Sequence, residues 1–227
     1  MGKNISNPFL NIDNPGRERV SAASWIDCPG RTTSEPSVAL FRLRFNIEEQ
    51  TTLTIHVSAD NRYILFLDGK QLGREPERGD LLHWPYESYE LQLAPGEHQL
   101  LAKTWWLGEL APFAQLTIRP GFILAATGPL QKVLSTGYAP WEATLLTGRE
   151  FIPSEISWGA GAREKVIGSE YLWGWQKGEV GAWQPAETIC LGLSEASQTE
   201  VPPVWLLSPA TLPQMLEEKR TGGKLRH

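Results

Sequence analysis

The chain has 227 residues, 41% hydrophobic and 21% charged, enough for a domain with a sizeable core and incompatible with a peptide-sized or fibrous product. Its 21 Lys and Arg against 26 Asp and Glu leave a formal charge of −5, a field that repels a phosphate backbone, so nucleic acid is not expected as a partner. Cys28 and Cys190 are the only cysteines; two such distant thiols make neither a disulfide scaffold nor a zinc site, and both are expected to be reduced and semi-buried.

The longest unbroken apolar run lies around Ile64 to Leu67, far below the ~20 residues of a membrane-spanning helix. A soluble protein without a membrane partner is expected. Ten Trp, 21 Gly and 17 Pro weight the composition toward a turn-rich β-protein, and indole faces suit the flat apolar faces of sugar rings.

Residues 1 to 19 read as an extended arm. They hold no apolar segment of signal-peptide length, so a cytoplasmic product is expected. Met1 to Ser6 satisfies the myristoylation pattern, and Asn4-Ile5-Ser6 the glycosylation sequon, but both patterns are short and common.

From Val38 the pattern is strand after strand. Phe41, Leu43, Phe45 and Ile47 alternate with Arg42, Arg44 and Asn46, the period-two signature of a sheet with one wet face. Leu53, Ile55 and Val57 alternate with Thr52, Thr54 and His56, which predicts His56 on the surface. Tyr63 to Leu67 is apolar on both sides and reads as a central strand, ending at Asp68-Gly69, a dipeptide suited to a tight hairpin. Glu87–Leu93 and Gln99–Trp106 form a pair around Ala94-Pro95-Gly96-Glu97. Further strands are predicted at Ala114–Ile118, Phe122–Thr127, Val133–Ser135 and Trp141–Leu145.

Beyond Arg149 the texture becomes Gly-rich and Trp-rich. Short strands are predicted at Arg163–Ile167, Thr188–Leu193 and Val204–Leu207, and one helix at Pro213–Lys219. The expected fold is all-β: a jelly-roll-like antiparallel β-sandwich over residues 20 to 150, then a smaller irregular β segment over 151 to 227 leading toward a missing downstream domain.

The four histidines, His56, His83, His98 and His227, stand in no ligand spacing, so no metal site is read. No Gly-rich loop opens a helix after a strand, no GxSxG is present, and no cofactor is implied. Carboxylates such as Asp60, Asp68, Asp80, Glu87, Glu90, Glu164 and Glu170 are plentiful, but a glycosidase needs two of them facing across a sugar. Asp68 is accounted for by its turn, and Glu87 and Glu90 read as sheet-surface charges. No catalytic residue is assigned.

The dense polar and aromatic stretch runs from Ser58 to Tyr86. Asp60, Arg62, Arg78 and Asp80 beside Trp84 and Tyr86 combine ring faces with planar hydrogen-bond partners, which is what grips a pyranose. The same residues also suit a loop bonded to itself with Trp84 covering a sheet edge. Trp105-Trp106 at a strand end carries the same pair of readings, and alternation turns the two rings opposite ways.

Phe41-Arg42-Leu43-Arg44-Phe45, Ser58-Ala59-Asp60-Asn61-Arg62-Tyr63, Asp68-Gly69-Lys70, Arg78-Gly79-Asp80, Trp84-Pro85-Tyr86 and Leu93-Ala94-Pro95-Gly96 together resemble the amino-terminal sandwich of bacterial α-L-rhamnosidases and related glycoside hydrolases. The order continues through Glu164 to Trp175, Trp183-Gln184-Pro185-Ala186, Pro202 to Leu206 and Leu212 to Met215. The resemblance implies an all-β accessory region whose catalytic carboxylates lie in a downstream (α/α)6 barrel absent from this chain. It departs at Asp68, where Asn is common, and at Arg74-Glu75-Pro76, where Arg-Gly-Pro is usual; Glu75 is not expected to need a positive φ.

Three functions follow as expectations. The first is a non-catalytic carbohydrate-binding or accessory module that takes rhamnose-containing oligosaccharide through Trp84, Tyr86, Trp105, Trp106, Asp60, Arg62, Arg78 and Asp80. The second is an interdomain scaffold packed on the missing catalytic domain. The third is a hydrolase of rhamnosides in its own right.

Overall fold

The computed structural model describes residues 7–9, 22–155, 161–194, 205–214, 216–218 and 222–223. Met1 to Ser6, with its two short modification patterns, lies outside them.

Alternation and turn chemistry produce the strands in chain order. β1 (Ser24–Asp27), β2 (Ser37–Ile47), β3 (Thr51–Ala59), β4 (Arg62–Leu67), β5 (Lys70–Arg74), β6 (Trp84–Leu93) and β7 (Gly96–Trp106) come first. They are followed by β8 (Phe122–Ala126), the one-turn helix α1 (Gln131–Leu134), β9 (Glu142–Leu145), β10 (Arg149–Ile152) and β11 (Arg163–Val166). The last are β12 (Gln184–Pro185), β13 (Glu187–Leu191) and β14 (Leu207–Pro209).

Two sheets form. The first has the order β13-β1-β8-β3-β6-β14 and the second β12-β9-β2-β7-β4-β5, while β10 and β11 make a separate pair. All pairings are antiparallel except β14 with β6. The longest ladder joins β2 to β7 without interruption from Ser37 opposite Trp106 to Ile47 opposite Gly96. Between the sheets, Phe41, Leu43, Phe45 and Ile47 of β2 meet Leu53, Ile55 and Val57 of β3 in one buried core. Phe41 of the second sheet stacks on Phe122 of the first at 5.3 Å, so the expected β-sandwich is closed by ring contact across its middle.

At Asp68-Gly69 both residues have positive φ, 50° and 75°, as a two-residue hairpin turn requires. The Asp68 carboxylate accepts from Gln99 N at 2.8 Å and bonds His98 Nδ1 at 2.7 Å, which holds the turn against β7. Glu75 also has a positive φ, 51°. The backbone there does adopt the glycine-favouring conformation, contrary to the expectation from sequence.

Several strand faces are more deeply covered than alternation predicts. His56 is fully buried rather than on the surface, with Nδ1 2.8 Å from Ser88 Oγ and the Tyr86 ring edge-on at 5.3 Å. The cause is an outer cluster on the first sheet in which Phe9, Trp205 and Leu207 lie over Trp25, Trp84, Tyr86 and Ile123. On the second sheet, Trp175 packs with Val38, Leu40 and Leu101. There Arg42 is buried under the Trp183 ring at 4.1 Å, bonding Glu142 Oε2 at 2.9 Å through Nε and the Gly178 carbonyl through Nη1. The residues beyond 150 thus add edge strands to both sheets and rings to both outer faces.

Three predicted elements are replaced by other structure. Ala114–Ile118 is irregular because Asp60, not a neighbouring strand, takes the Ile118 N–H at 2.8 Å. Val133 and Leu134 fall in α1, after which Ser135 Oγ accepts from Ala126 N at 3.0 Å and Thr136 Oγ1 from Leu124 N at 3.2 Å. Among the described residues of 213–219 none is helical, and Leu212 and Leu216 are exposed; no apolar face is buried to hold a helix there. β4 is not central but second from the edge, between β7 and β5. Cys28 is buried and Cys190 half-buried, and both are free thiols. Burial pushes the Cys28 thiol up to about 11.

Among the described residues no helix is long and apolar enough to cross a membrane.

Candidate functional site

Asp60, Arg62, Arg78, Asp80, Trp84 and Trp106 gather at one rim of the sandwich, where β3 turns into β4 and the connections 75–83 and 107–121 approach. Asp60 organises this rim. Its carboxylate is buried and accepts from Ile118 N at 2.8 Å, from Trp205 Nε1 at 3.0 Å, from Asn61 Nδ2 at 3.1 Å and from the Thr117 hydroxyl. Burial raises its pKa, opposed by these donors. Asn61 Oδ1 accepts from Leu107 N at 2.6 Å, and Trp106 Nε1 donates to Thr117 Oγ1 at 2.9 Å. Asp60, Asn61 and Trp106 therefore fix the 107–121 connection in place.

The 75–83 connection is held from both ends. Arg62 pairs with Glu75 at 3.7 Å. Gly79 is packed so closely that an added Cβ would lie 2.0 Å from the His83 carbonyl oxygen. Asp80 accepts from Leu82 N at 2.8 Å and His83 N at 2.9 Å, with His83 Nδ1 at 3.0 Å. The bond from His83 leads the contacts that hold the Asp80 carboxyl below its ordinary value. Arg78 is exposed on the turn.

Two depressions flank this turn. The larger, about 1110 Å³, runs along β5 and is walled by Leu212, Pro213, Gln214, Glu217 and Glu218; it has the size of a small-ligand site. The smaller is a crevice of about 20 Å³ between the 76–79 turn and residues 114–116, with Asn61, Trp84 and Pro85 behind it. Pro76, Glu77 and Arg78 line both.

The far wall of the groove is fastened by carboxylates. Glu77 Oε2 accepts from Thr211 N at 2.6 Å and Leu212 N at 3.0 Å, and Oε1 from the Thr211 hydroxyl at 3.0 Å. Burial raises the Glu77 pKa, but the bonds from Leu212 and Thr211 together outweigh it, so the net shift is downward. Glu217 pairs with Arg74 and accepts from Gln71 Nε2 at 2.8 Å. Glu87, read from sequence as a surface charge, is buried; burial raises its pKa, and Glu77 N donates to it at 3.3 Å. Glu77 and Glu87 both line the groove and both accept hydrogen bonds from backbone N–H groups. Lys70, Arg78 and Gln214 also line the groove.

The candidate residues divide clearly by placement. Arg78 lines both depressions, and Trp84 forms the back of the crevice. Tyr86 is buried against Phe9 at 5.3 Å in the outer cluster, where burial pushes its phenol up to about 12. Trp105 is half-buried beneath Lys103 Nζ at 4.1 Å, and Trp106 turns the other way toward Thr117, as alternation requires. Asp60 is interior, while Arg62 and Asp80 brace the turn. The sequence does not single out Gln115, Leu116 and Gln214 as site residues: 114–118 reads as a strand and 213–219 as a helix, and among the described residues both are irregular connections that tertiary contacts bring to the site. Nor does it single out the exposed rings of Phe113 (78%) and Trp173 (68%). Among the described residues, no three His, Cys, Asp or Glu side chains converge to hold a metal ion.

No protein-family model matches the sequence, and no curated protein is significantly similar to it. Solved structures do match. A GH78 family rhamnosidase of Bacillus sp. GL1 superimposes with a TM-score of 0.71 and 24% identity over 87% of this chain and 20% of its own. The α-L-rhamnosidase from Dictyoglumus thermophilum gives 0.57 and 12% over 85% and 22%, and that from Aspergillus terreus 0.52 and 14% over 74% and 21%. The chain spans about a fifth of the length of each. Its structural neighbours are thus α-L-rhamnosidases, matched over most of this chain and a minor part of theirs, and the chain has the fold of that β-sandwich portion.

Proposed function

We propose that this chain is the non-catalytic amino-terminal module of an α-L-rhamnosidase-like glycoside hydrolase and that it binds carbohydrate in the groove beside β5. The observation that carries the proposal is the match to a rhamnosidase over 87% of this chain but only 20% of that enzyme. It is the relationship of an accessory domain to a larger parent.

The groove supports the binding half of the reading. Lys70 and Arg78 line it and present donors of the kind that hold sugar hydroxyls. Of the carboxylates that line the groove, Glu77 and Glu217 are engaged by donors on the wall and the strand, which suits a positioning role. The chain is expected to bind a rhamnose-containing oligosaccharide without cleaving it. Calorimetric titration with such an oligosaccharide tests this, together with an aryl rhamnoside assay. Saturable heat without release of the aryl group is the expected pair of results, and turnover of the aryl glycoside contradicts the non-catalytic assignment.

A second reading, interdomain scaffold without sugar binding, is favoured by the exposure of Leu82, Phe113 and Leu116 at the same rim. Apolar residues gathered in this way suit a surface covered by the rest of a parent enzyme. A flat titration, with the chain self-associating in solution, would select that reading.

A further inference from the structure

Two turns are bridged by one side chain at the end of the second sheet: Asp68-Gly69 between β4 and β5, and residues 94–95 between β6 and β7. The half-buried imidazole of His98 stands between them, with Nδ1 2.7 Å from Asp68 Oδ2 and Nε2 2.8 Å from the Ala94 carbonyl oxygen. Both partners are acceptors. A carbonyl oxygen has no proton to give, so Nε2 carries one, and a carboxylate oxygen imposes the same on Nδ1. A ring with both nitrogens protonated is the imidazolium cation. The neutral ring keeps a single N–H, so it can serve one turn while a lone pair faces the oxygen of the other. Asp68 and Gln99 add a reciprocal pair that needs no titrating proton, with Asp68 N donating to the Gln99 carbonyl at 2.9 Å and Asp68 Oδ1 accepting from Gln99 N at 2.8 Å.

We propose that His98 is a proton-operated clasp between these two turns, closed as the imidazolium and half-released as the neutral ring. The β4–β5 turn leads directly into Lys70, which opens β5 and lines the groove, so the clasp positions one end of the groove whether or not sugar binds there. Asp68 faces His98 from the β4–β5 turn, the Ala94 carbonyl from the β6–β7 turn, and the uncharged Phe45 ring from β2 at 5.6 Å. Asp68 is the charge that acts on it. The Ala94 bond and then the Asp68 carboxylate raise the His98 pKa above 6.5, against an opposing effect of burial. A histidine raised in this way stabilises the fold fully below about 6.5 and loses that contribution as pH climbs through its folded value. Lys103 has the opposite sign above about 7, so global melting mixes the two and the clasp must be read residue by residue.

The test is a histidine NMR titration of the whole chain, joined to hydrogen exchange at the Asp68 and Gln99 amides, for the wild type, Asp68→Asn and His98→Phe. The His98 midpoint is expected above 6.5 in the wild type and lower in Asp68→Asn. Asparagine tolerates the positive φ of the turn and still offers Gln99 N an acceptor, but it carries no charge. Protection of the two amides, corrected for the intrinsic pH dependence of exchange, should fall about five- to tenfold as pH passes the midpoint, the size of one lost hydrogen bond. In His98→Phe, which keeps a ring against Phe45, that step should vanish. If His98→Phe melts early, Asp68→Asn supplies the comparison, and there the step should move down in pH together with the midpoint. A wild-type midpoint at or below 6.5, or one unmoved in Asp68→Asn, would overturn the clasp. Protection that stays level through the midpoint would overturn it as well, because the proton would then be held without tying the turns together.

Discussion

The indole Nε1 of Trp205 donates to Asp60 Oδ2 at 3.0 Å, joining the segment after β13 to the rim of the sandwich across 145 positions of sequence. The same carboxylate holds Ile118 N and the Thr117 hydroxyl. One buried acid therefore sets the relative position of three chain segments that meet at the candidate site.

Removing that acid should be costly. Asp60→Ala strands several buried donors at once, and hydrogen bonds to charged groups are worth ~1.5–3 kcal/mol each. A loss of about 3 kcal/mol is expected in urea unfolding. Asp60→Asn should lose less, since an amide oxygen still accepts. Equal midpoints for Asp60→Ala and wild type would contradict this role.

Glu75 holds a φ of 51°, where a residue with a Cβ is strained by ~1–2 kcal/mol. Its pairing with Arg62, at 3.7 Å and half exposed, returns at most ~1 kcal/mol. Glu75→Gly should therefore raise the melting temperature slightly. A fall of several degrees would show that the ion pair outweighs the strain.

Lys103 lies between the Trp105 and Trp175 rings, with Nζ 4.1 Å and 5.1 Å from their centroids. Burial, aided by the nearby Arg149 charge, depresses its pKa from 10.5 to about 7. A lowered lysine means that the unfolded chain binds the extra proton between these values, so stability should rise with pH from about 7 toward 10.5 and level off below 7. His56, depressed by burial from 6.5 to about 4, acts with the same sign lower down: stability should fall as pH drops from 6.5 toward 4. Melting scans across pH check both, and in Lys103→Met the alkaline slope should flatten. An unchanged slope in that variant would assign it to other groups.

Glu77 accepts three bonds from Thr211 and Leu212 and so holds one wall of the groove. Glu77→Ala should free the chain around 211–218 for proteolysis, with the sandwich intact by circular dichroism. Cleavage there at the wild-type rate would place the fastening elsewhere, on Glu217 or the β14 ladder.

The strands of the two central ladders were legible because each has one face turned to the core. Phe41 to Ile47 and Leu53 to Val57 fix their own sides by a period of two. Alternation names the faces but not what covers them. Alternation turns His56 and Arg42 toward water, but Tyr86, itself covered by Phe9, packs on His56, and Trp183 covers Arg42; Phe9 and Trp183 come from far along the chain and have no periodic signature. Ala114–Ile118 had strand-like composition, yet a single carboxylate captured its backbone. At the site, Arg78 and Trp84 were visible as a local cluster. Gln115 and Gln214 were not, since only tertiary contacts bring their connections to the rim.

The central claim, that this sandwich binds saccharide in the groove beside β5, is tested most directly by amide NMR spectra recorded during titration with a rhamnose-containing oligosaccharide. Saturable shifts confined to residues 70–78, 114–116 and 212–218 are the expected result. Unmoved spectra at saturating sugar, or shifts centred on the opposite end of the sheets, would contradict it.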